Sequence, residues 1–365
     1  MNASSSRAPS SCTASCDRGR RPRVVLLGTA GGTTTWSPRA DGRPARHGIS
    51  TAVVVGDRIY VVDQGAGSTR QLTIADPLGR GRGSVLRDLG ALLITHLHSD
   101  HIVDLPCLLH WGREQGWPSE PVPLIGPGPL PLSTRAYAGR RAGIATGGAV
   151  RPGTASLVKG LVHAFRADTI DRVLGAGRPP LEDLVRVREV PVPGRDETTA
   201  GSAPVLEDAN VRVSATLVEH GDMAPAYAYR FDFDGGAVVI SGDTGPCDAL
   251  VELAVGADVL VHEAISPHFA ASRFGAPPYD AAQQQSLDHV FAKHTSVRAV
   301  GDIAARAGVP TLVLTHLVPG DLPADAWRDA VTGFDGQVIV GEDLDVVPVQ
   351  EERPPRLRVR RPSGR

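Results

Sequence analysis

Four potential metal ligands lie close together in the chain. His96, His98, Asp100 and His101 fall within six consecutive positions, directly after the apolar run Leu92–Thr95. Alternate residues of an extended segment point the same way, so the first two histidines can bind one cation. The aspartate and the third histidine, past a bend, can reach a second cation. Imidazole and carboxylate suit zinc and related divalent ions. The other interpretation is a polar loop of solvated histidines, against which this density of ligands argues. The pattern predicts a two-cation site at a strand end.

Three further candidate ligands follow other apolar runs. His220, Asp243 and His316 come at or just after the ends of predicted strands, which are Val211–Val218, Ala237–Ile240 and Thr311–Thr315. A single histidine at a strand end is usually a satisfied surface or core residue, so each candidate is weak by itself. All three together with the first cluster are stronger evidence, because closing a two-metal site requires ligands from several strand ends.

The elements that must position these ligands indicate a layered α/β domain. Glycine and proline are abundant, at 41 and 30 residues, which favours many short elements joined by loops. Apolar runs bounded by Gly, Asp or Pro predict strands, and the last third of the chain alternates strands with helices. The other predicted strands are Arg23–Gly28, Ala52–Val55, Ile59–Val62, Tyr227–Phe233, Val259–Glu263 and Val338–Val340, and the helices there are Val297–Ala307 and Ala324–Val331.

The predicted organisation is one domain over residues 22–350 between two disordered tails. Residues 1–21 are rich in Ser, Ala and Arg, and residues 351–365 contain six arginines and no apolar period. An insert is expected at about 120–205, with one amphipathic helix over Ala155–Leu174. Its residues 131–200 include 11 basic and 7 acidic side chains. Long excursions in compact domains usually carry function, so we expect this insert to cover the metal cleft as a lid.

Composition excludes several classes of protein. The formal net charge of −2 argues against a general nucleic-acid-binding coat, and 4% aromatic residues give little support to base-stacking surfaces. The four cysteines, Cys12, Cys16, Cys107 and Cys247, are too few and scattered for a disulfide framework. The apolar run at 24–27 is too short for an export signal, and no run has membrane-spanning length. We expect a cytoplasmic protein without a membrane partner.

The order of the candidate ligands resembles the metallo-β-lactamase superfamily, whose pattern is HxHxDH, then His, Asp and His. The similarity covers about Val24–Val349. It implies an αββα sandwich of the α/β class, with two face-to-face sheets, helices outside, and two divalent metal ions, zinc by expectation, at one edge. In the implied arrangement one metal takes His96, His98 and His220, the second takes Asp100, His101 and His316, and Asp243 bridges both.

Finer features resemble the ribonuclease Z branch of this superfamily. Val259–Ala264 is similar to its HEAT-type motif, and His294-Thr295-Ser296 is similar to its second catalytic motif. Asp63–Ser68 resembles its DCGEGT segment, although Gln64 and Ala66 replace the Cys and Glu of that segment.

This resemblance implies hydrolysis by a hydroxide bound to the two metals. Asp100 and Asp243 would position the hydroxide. Glu263 would orient His294, which would protonate the leaving oxygen or stabilise the developing anion. From spacing alone, the two residues after His294 could instead be helix N-caps, and Glu263 could be an ordinary strand-end carboxylate.

The substrate is inferred from a missing arm. In ribonuclease Z the tRNA-gripping arm lies between the third-motif His and the bridging Asp, but here His220 and Asp243 are only 23 residues apart. This arrangement looks more like the arylsulfatase-like relatives. A ribonuclease Z-like phosphodiesterase is the first choice, and hydrolysis of an aryl sulfate, ester or lactone is the second. A small phosphodiester or ester is expected in preference to folded tRNA. The competing class is a non-catalytic RNA-binding protein on the same fold, and a homodimer is left open.

Overall fold

The computed structural model describes residues 21–32, 36–39, 41–81, 85–131, 150–191 and 201–349. Apart from Arg21, the two predicted tails lie outside these ranges, as do Cys12 and Cys16. Two seven-stranded sheets and flanking helices make up the described chain, which confirms the αββα architecture of the α/β class.

The first sheet is mixed and has the order β16-β1-β2-β3-β4-β5-β8. Strands β1 to β3 and β16 pair antiparallel, whereas β3, β4, β5 and β8 are parallel neighbours. Its strands are β1 (Arg23–Gly28), β2 (Ser50–Val55), β3 (Arg58–Val62), β4 (Leu89–Leu93), β5 (Val122–Pro127), β8 (Val185–Val190) and β16 (Val346–Pro348).

The second sheet has the order β15-β14-β13-β12-β11-β10-β9 and is also half parallel. Strands β12 to β15 are parallel, and β9 to β12 pair antiparallel, so β10, β12, β13 and β14 all end at the same edge. Its strands are β9 (Ala203–Glu207), β10 (Arg212–Leu217), β11 (Tyr227–Phe233), β12 (Gly236–Ile240), β13 (Val259–Ile265), β14 (Thr311–Val318) and β15 (Gln337–Val340). A separate short ribbon pairs β6 (Leu130–Pro131) with β7 (Val150–Arg151).

Apolar side chains fill three layers. The inner layer joins the two sheets and includes Tyr60 and Phe231, whose ring centroids are 6.1 Å apart. One outer layer packs helices on the first sheet, and the other packs helices on the second. The described helices are α1 (Ser68–Ala75), α2 (Ser99–Ile102), α3 (Leu105–Gln115), α4 (Thr154–Ala164), α5 (Arg166–Ala176), α6 (Asp248–Ala254), α7 (Phe269–Phe274), α8 (Ala281–Phe291), α9 (Val297–Ala307) and α10 (Ala324–Arg328).

The segment 120–205 is not wholly outside the sandwich, because its strands β5 and β8 extend the first sheet. The single helix expected over Ala155–Leu174 is two helices, α4 and α5, separated at Phe165, whose φ of −99° and ψ of 18° depart from helical values. Val158 of α4 packs in the outer layer of the first sheet. Arg113 of α3 donates a hydrogen bond of 2.9 Å to Asp168 of α5. These contacts place the two helices on the outside of that sheet instead of over the predicted metal cleft.

No described helix is long and apolar enough to cross a membrane.

Candidate metal centre

The HxHxDH segment begins in the turn after a strand and continues into a short helix, which contains Asp100 and His101. β4 ends at Leu93, and α2 begins at Ser99 with His98 in an extended conformation before it. A backbone hydrogen bond of 3.0 Å from the Tyr227 N–H to the Thr95 carbonyl ties this turn to the second sheet. The histidines are therefore held where the edges of the two sheets meet.

A first group of donor atoms forms around His98. Its Nδ1 lies 2.9 Å from His96 Nε2 and 3.1 Å from His220 Nε2. Asp243 Oδ2 lies 3.8 Å from His96 Nε2 and 3.9 Å from His220 Nε2. Ligands bound about 2.0–2.1 Å from a tetrahedral zinc are about 3.4 Å from one another, so these spacings fit one cation.

A second group shares the same aspartate. Asp243 Oδ2 lies 3.3 Å from His101 Nε2, and Asp243 Oδ1 lies 3.2 Å from His316 Nε2. Asp100 Oδ2 lies 3.6 Å from His101 Nε2 and 3.4 Å from His316 Nε2. The carboxylate of Asp243 thus stands between two sets of donors, and the structure brings together all seven residues predicted as ligands.

A β-bulge directs His316 to the site. β14 does not end at Thr315 as predicted but continues to Val318, and Glu263 and Ala264 of β13 pair with Thr315 and Leu317. His316 is the extra residue, with a φ of 44°. Bulges redirect single side chains in this way next to functional sites. The close approach of Gly31 fits the same geometry, since a Cβ there would lie 2.3 Å from His316 Nδ1.

Other side chains orient the histidines. Asp63 Oδ2 lies 2.7 Å from His101 Nδ1, and the same carboxylate accepts bonds from the backbone N–H and the hydroxyl of Thr95. The carbonyl of Lys293 lies 2.9 Å from His220 Nδ1. Such partners fix the ring orientation and tautomer of metal-binding histidines. Sequence reasoning quoted the segment that holds Asp63 but gave this residue no role.

Glu263 and His294 are in contact, as the resemblance implied. Glu263 Oε1 lies 3.2 Å from His294 Nδ1 and accepts backbone N–H bonds from Thr244 at 3.2 Å and Thr295 at 3.0 Å. His294 Nδ1 is also 4.0 Å from Asp243 Oδ2, so this pair borders the donor groups. Burial opposes the charged form of His294, but the carboxylate of Glu263 outweighs it and raises the pKa of His294 to about 9.

The electrostatics of the cluster fit a bound cation. Burial lowers the pKa of His96 strongly and that of His98 to about 4, which keeps both imidazoles in the neutral form that binds metal. Burial alone would likewise lower the pKa of His101, but Asp243, Asp63 and Asp100 raise it well above its usual value. His101 Nε2 and Asp243 Oδ1 are buried without a hydrogen-bond partner. Clustered carboxylates and unpartnered donor atoms are the environment that a divalent cation would complete.

Known proteins resemble the chain in sequence and in fold. It is 34% identical over 335 residues to ribonuclease Z of Mycobacterium bovis (strain BCG / Pasteur 1173P2), which covers 90% of this chain and 99% of that protein. It is 35% identical over 334 residues to ribonuclease Z of Mycobacterium avium (strain 104), with coverage of 89% and 98%. The chain belongs to the ribonuclease Z family. No protein-family model matches it.

Solved structures agree on the ribonuclease Z fold. The short form of human tRNase Z aligns with a TM-score of 0.54 and 20% identity over 90% of this chain and 99% of its own. The metallo-β-lactamase fold protein YhfI of Bacillus subtilis aligns with a TM-score of 0.54 and 19% identity over 89% and 98%. The predicted superfamily is confirmed: the chain is a metal-dependent hydrolase of the ribonuclease Z type on the metallo-β-lactamase fold. The comparisons do not favour the arylsulfatase-like, lactonase or non-catalytic alternatives.

The predicted preference for a small substrate over folded tRNA is wrong. The ribonuclease Z relatives match over nearly their whole length, and a solved neighbour is named tRNase Z. The prediction depended on a missing arm and on a lid. The interval from His220 to Asp243 does hold only β11, β12 and their loops, but α4 and α5 pack on the outside of the first sheet. When an arm is missing at one position, RNA can still contact other surfaces. Because α4 and α5 do not lie over the metal cleft, they give no reason to expect a small substrate.

Proposed function

We propose that the chain is a dinuclear zinc-dependent endoribonuclease that hydrolyses phosphodiester bonds of RNA, tRNA precursors included. The observation that carries this proposal is the position of Asp243. Its two carboxylate oxygens each lie within 3.3 Å of a donor atom from the second group, and Oδ2 also lies within 3.9 Å of two donor atoms from the first. One carboxylate between two histidine groups suits a pair of cations a few ångströms apart.

The ligands of each zinc follow from the donor groups. His96, His98 and His220 would bind the first zinc, with His98 using Nδ1 and the other two Nε2. Asp100, His101 and His316 would bind the second zinc, and Asp243 would bridge the two. Histidine with carboxylate ligands favours zinc over magnesium or calcium, which prefer oxygen.

The protein side chains would orient the reactants and move protons. Bound zinc would supply a water of lowered pKa and neutralise charge on the phosphate. Asp100 and Asp243 would orient the attacking oxygen. Glu263 accepts from Nδ1 of His294, which leaves the other ring nitrogen, Nε2, to give its proton to the leaving oxygen. The contact with Glu263 favours the protonated form of His294 that this step needs.

The matched relatives support RNA as the substrate, since they are named ribonuclease Z and tRNase Z. Side-by-side assays of a tRNA precursor, a sulfate ester and a lactone test this choice. We expect metal-dependent cleavage of the RNA. Turnover of only the ester or the lactone would contradict the substrate class and leave the metal centre in place.

Replacing the shared ligand tests the metal centre. We expect native protein to contain about two zinc ions per chain by mass spectrometry of the metals, and Asp243→Ala to lose metal and hydrolysis together. Without this carboxylate, two close cations repel each other more strongly. Asp248→Ala is the matched control, because its side chain is 82% exposed and lies beyond the site at the start of α6. Normal zinc and activity in Asp243→Ala would remove the bridging role.

We also propose a single hydrolase domain over residues 22–350 and a cytoplasmic location. Cys107 and Cys247, the described cysteines, are free thiols, which supports a reducing compartment.

A further inference from the structure

The segment between Glu263 and His294 is attached to the metal centre at both ends. It leaves β13 at Ser266, whose N–H donates to the carbonyl of Val318 at 2.8 Å, two residues after His316. It returns at Lys293, whose carbonyl lies 2.9 Å from His220 Nδ1. The segment therefore borders the metal centre at both ends, and Phe291 lies two residues before the Lys293 carbonyl that contacts His220.

The segment gathers aromatic residues that are scarce elsewhere. The chain has 16 Phe, Tyr and Trp residues in 365, and four of them lie within residues 266–293. They are Phe269, Phe274, Tyr279 and Phe291. Packing in a core would be the usual reason for such an enrichment, so the burial of these residues decides whether it applies.

These aromatic rings are not there to fill a core. No residue of α7 is buried, and Leu287 is the only buried residue of α8. Phe269 and Phe291 meet edge to face, with centroids 6.1 Å apart and ring planes at 82°, and Phe291 is 37% exposed. An edge-to-face pair holds both rings in place, so apolar ring surface is presented to solvent in a fixed orientation.

The charge of the segment points to an uncharged group as the ligand. Residues 266–293 contain Arg273 and Lys293 against Asp280 and Asp288, so the segment has no net charge when its histidines are neutral. Phosphate binding needs excess positive charge, whereas stacking needs only an aromatic face. Every base has a π-face, so an aromatic surface accepts any unpaired base regardless of its identity.

We propose that Phe291, supported by Phe269, stacks on an unpaired RNA base next to the scissile phosphodiester. This inference rests on the proposed ribonuclease activity. It places the contacted base in the single-stranded part of the substrate, since a base within a duplex has no free face. Phe291 lies three residues before His294, so the contacted base should belong to a nucleotide close to the cleavage site.

The test combines protein variants with abasic substrates. We expect Phe291→Ala to raise KM for a tRNA precursor with a single-stranded 3′ extension by about 5- to 100-fold, the scale of one stacked base, with kcat and zinc content unchanged. Phe291→Trp should keep KM near the native value. Phe165→Ala is the matched control, because Phe165 is 39% exposed and packs against His110 on the outside of the first sheet.

Abasic nucleotides then locate the contact. Removing the base from each nucleotide beside the cleavage site in turn should reveal one position that raises KM for native protein, and Phe291→Ala should cost nothing further there. An unchanged KM in Phe291→Ala, an equal loss with every abasic substrate, or a fall in zinc content would overturn the stacking role. If native protein holds zinc but cleaves no RNA, the proposed function and this inference fail together. RNA cleavage that is insensitive to Phe291 overturns the inference alone.

Discussion

Among the described residues, two pairs of helices form excursions from the sandwich, and only the second pair reaches the metal centre. α4 and α5 lie between β7 and β8, and α7 and α8 lie between β13 and His294. Both pairs are poorly buried, since α5 and α7 have no buried residue. Yet Asp168 of α5 bonds Arg113 of α3 on the outside of the first sheet, whereas α8 ends beside Lys293, which holds His220.

The order in which strands and helices are connected explains why the second pair of helices reaches the metal centre and the first does not. The burial of the helices does not explain it. β5 and β8 are parallel neighbours, and the connection between two such strands must cross back over one face of the sheet. α4 and α5 make this crossing, so they cover the sheet face. Between the parallel strands β13 and β14, α9 makes the equivalent crossing. α7 and α8 precede that crossing and remain at the carboxyl edge, where ligands bind in α/β sheets.

Within the two excursions, the largest expected effect is at His294, where the second excursion ends. We expect His294→Ala to lower kcat by about 10²–10⁴ with zinc content intact, as for loss of a general acid. Substrates with good leaving groups such as nitrophenolate should lose less, because they need no proton. His268→Ala, an exposed histidine in the same excursion, is the control. Loss of zinc in step with activity would make His294 a ligand or a structural residue.

A smaller effect is expected at Asp63, which lies outside both excursions. Asp63→Asn removes the charge that orients His101 and should weaken zinc binding about 10- to 100-fold, the usual scale for partners of metal-bound histidines. A titration against a competing chelator measures this, with Asp57→Asn, in the exposed turn after β2, as control. Unchanged zinc affinity in Asp63→Asn would show that Thr95 holds the turn before His96 in place without the charge of Asp63.

The grouping of the candidate ligands was easier to predict from sequence than the contacts that orient them. His96, His98, Asp100 and His101 fall within one turn, so their spacing alone brings them together. His220, Asp243 and His316 were found because strands running in one direction end at one edge. Asp63 contacts His101 across 38 residues through the pairing of β3 with β4, and no local pattern reports such a contact.

The first excursion was misjudged because neither β5 nor β8 was recognised as a strand. β5 contains Pro123 and Pro127, and proline argues against a central strand. The sequence of β8, Val185 to Val190, places arginines and a glutamate between valines, as suits an edge strand with exposed side chains. Without these two strands no crossing was expected, and α4 and α5 were interpreted as a lid. The break at Phe165 was hidden as well, because apolar periodicity continues through a change of helix direction.

Stability variants separate the two excursions. Val158→Ala removes two buried carbons from α4 and should lower the free energy of unfolding by about 1–2 kcal/mol without changing kcat or KM for RNA. Leu287→Ala in α8 should also destabilise the protein and, unlike Val158→Ala, raise KM, because Leu287 anchors the helix that carries Phe291. Chemical denaturation and RNA kinetics on both variants measure this. A changed KM in Val158→Ala would indicate that the first excursion contacts the substrate.

The smallest effect is expected at the polar contact between α3 and α5. Asp168 bonds Arg172 at 2.8 Å and Arg113 at 2.9 Å, and its side chain is 38% exposed. The hydrogen bond to Arg172 lowers the pKa of Asp168, so its contribution to stability is present above the unfolded carboxyl pKa, about 4, and is lost as pH falls further.

Water screens such a pair, so Asp168→Asn should cost less than about 1 kcal/mol at pH 7. We expect its difference from native protein to shrink below about pH 4. Denaturation across this range measures the difference, and cleavage of RNA should be unaffected because the contact lies on the outside of the first sheet. A loss of RNA cleavage in Asp168→Asn beyond its loss of stability would place α5 at the active site and remove the distinction between the two excursions.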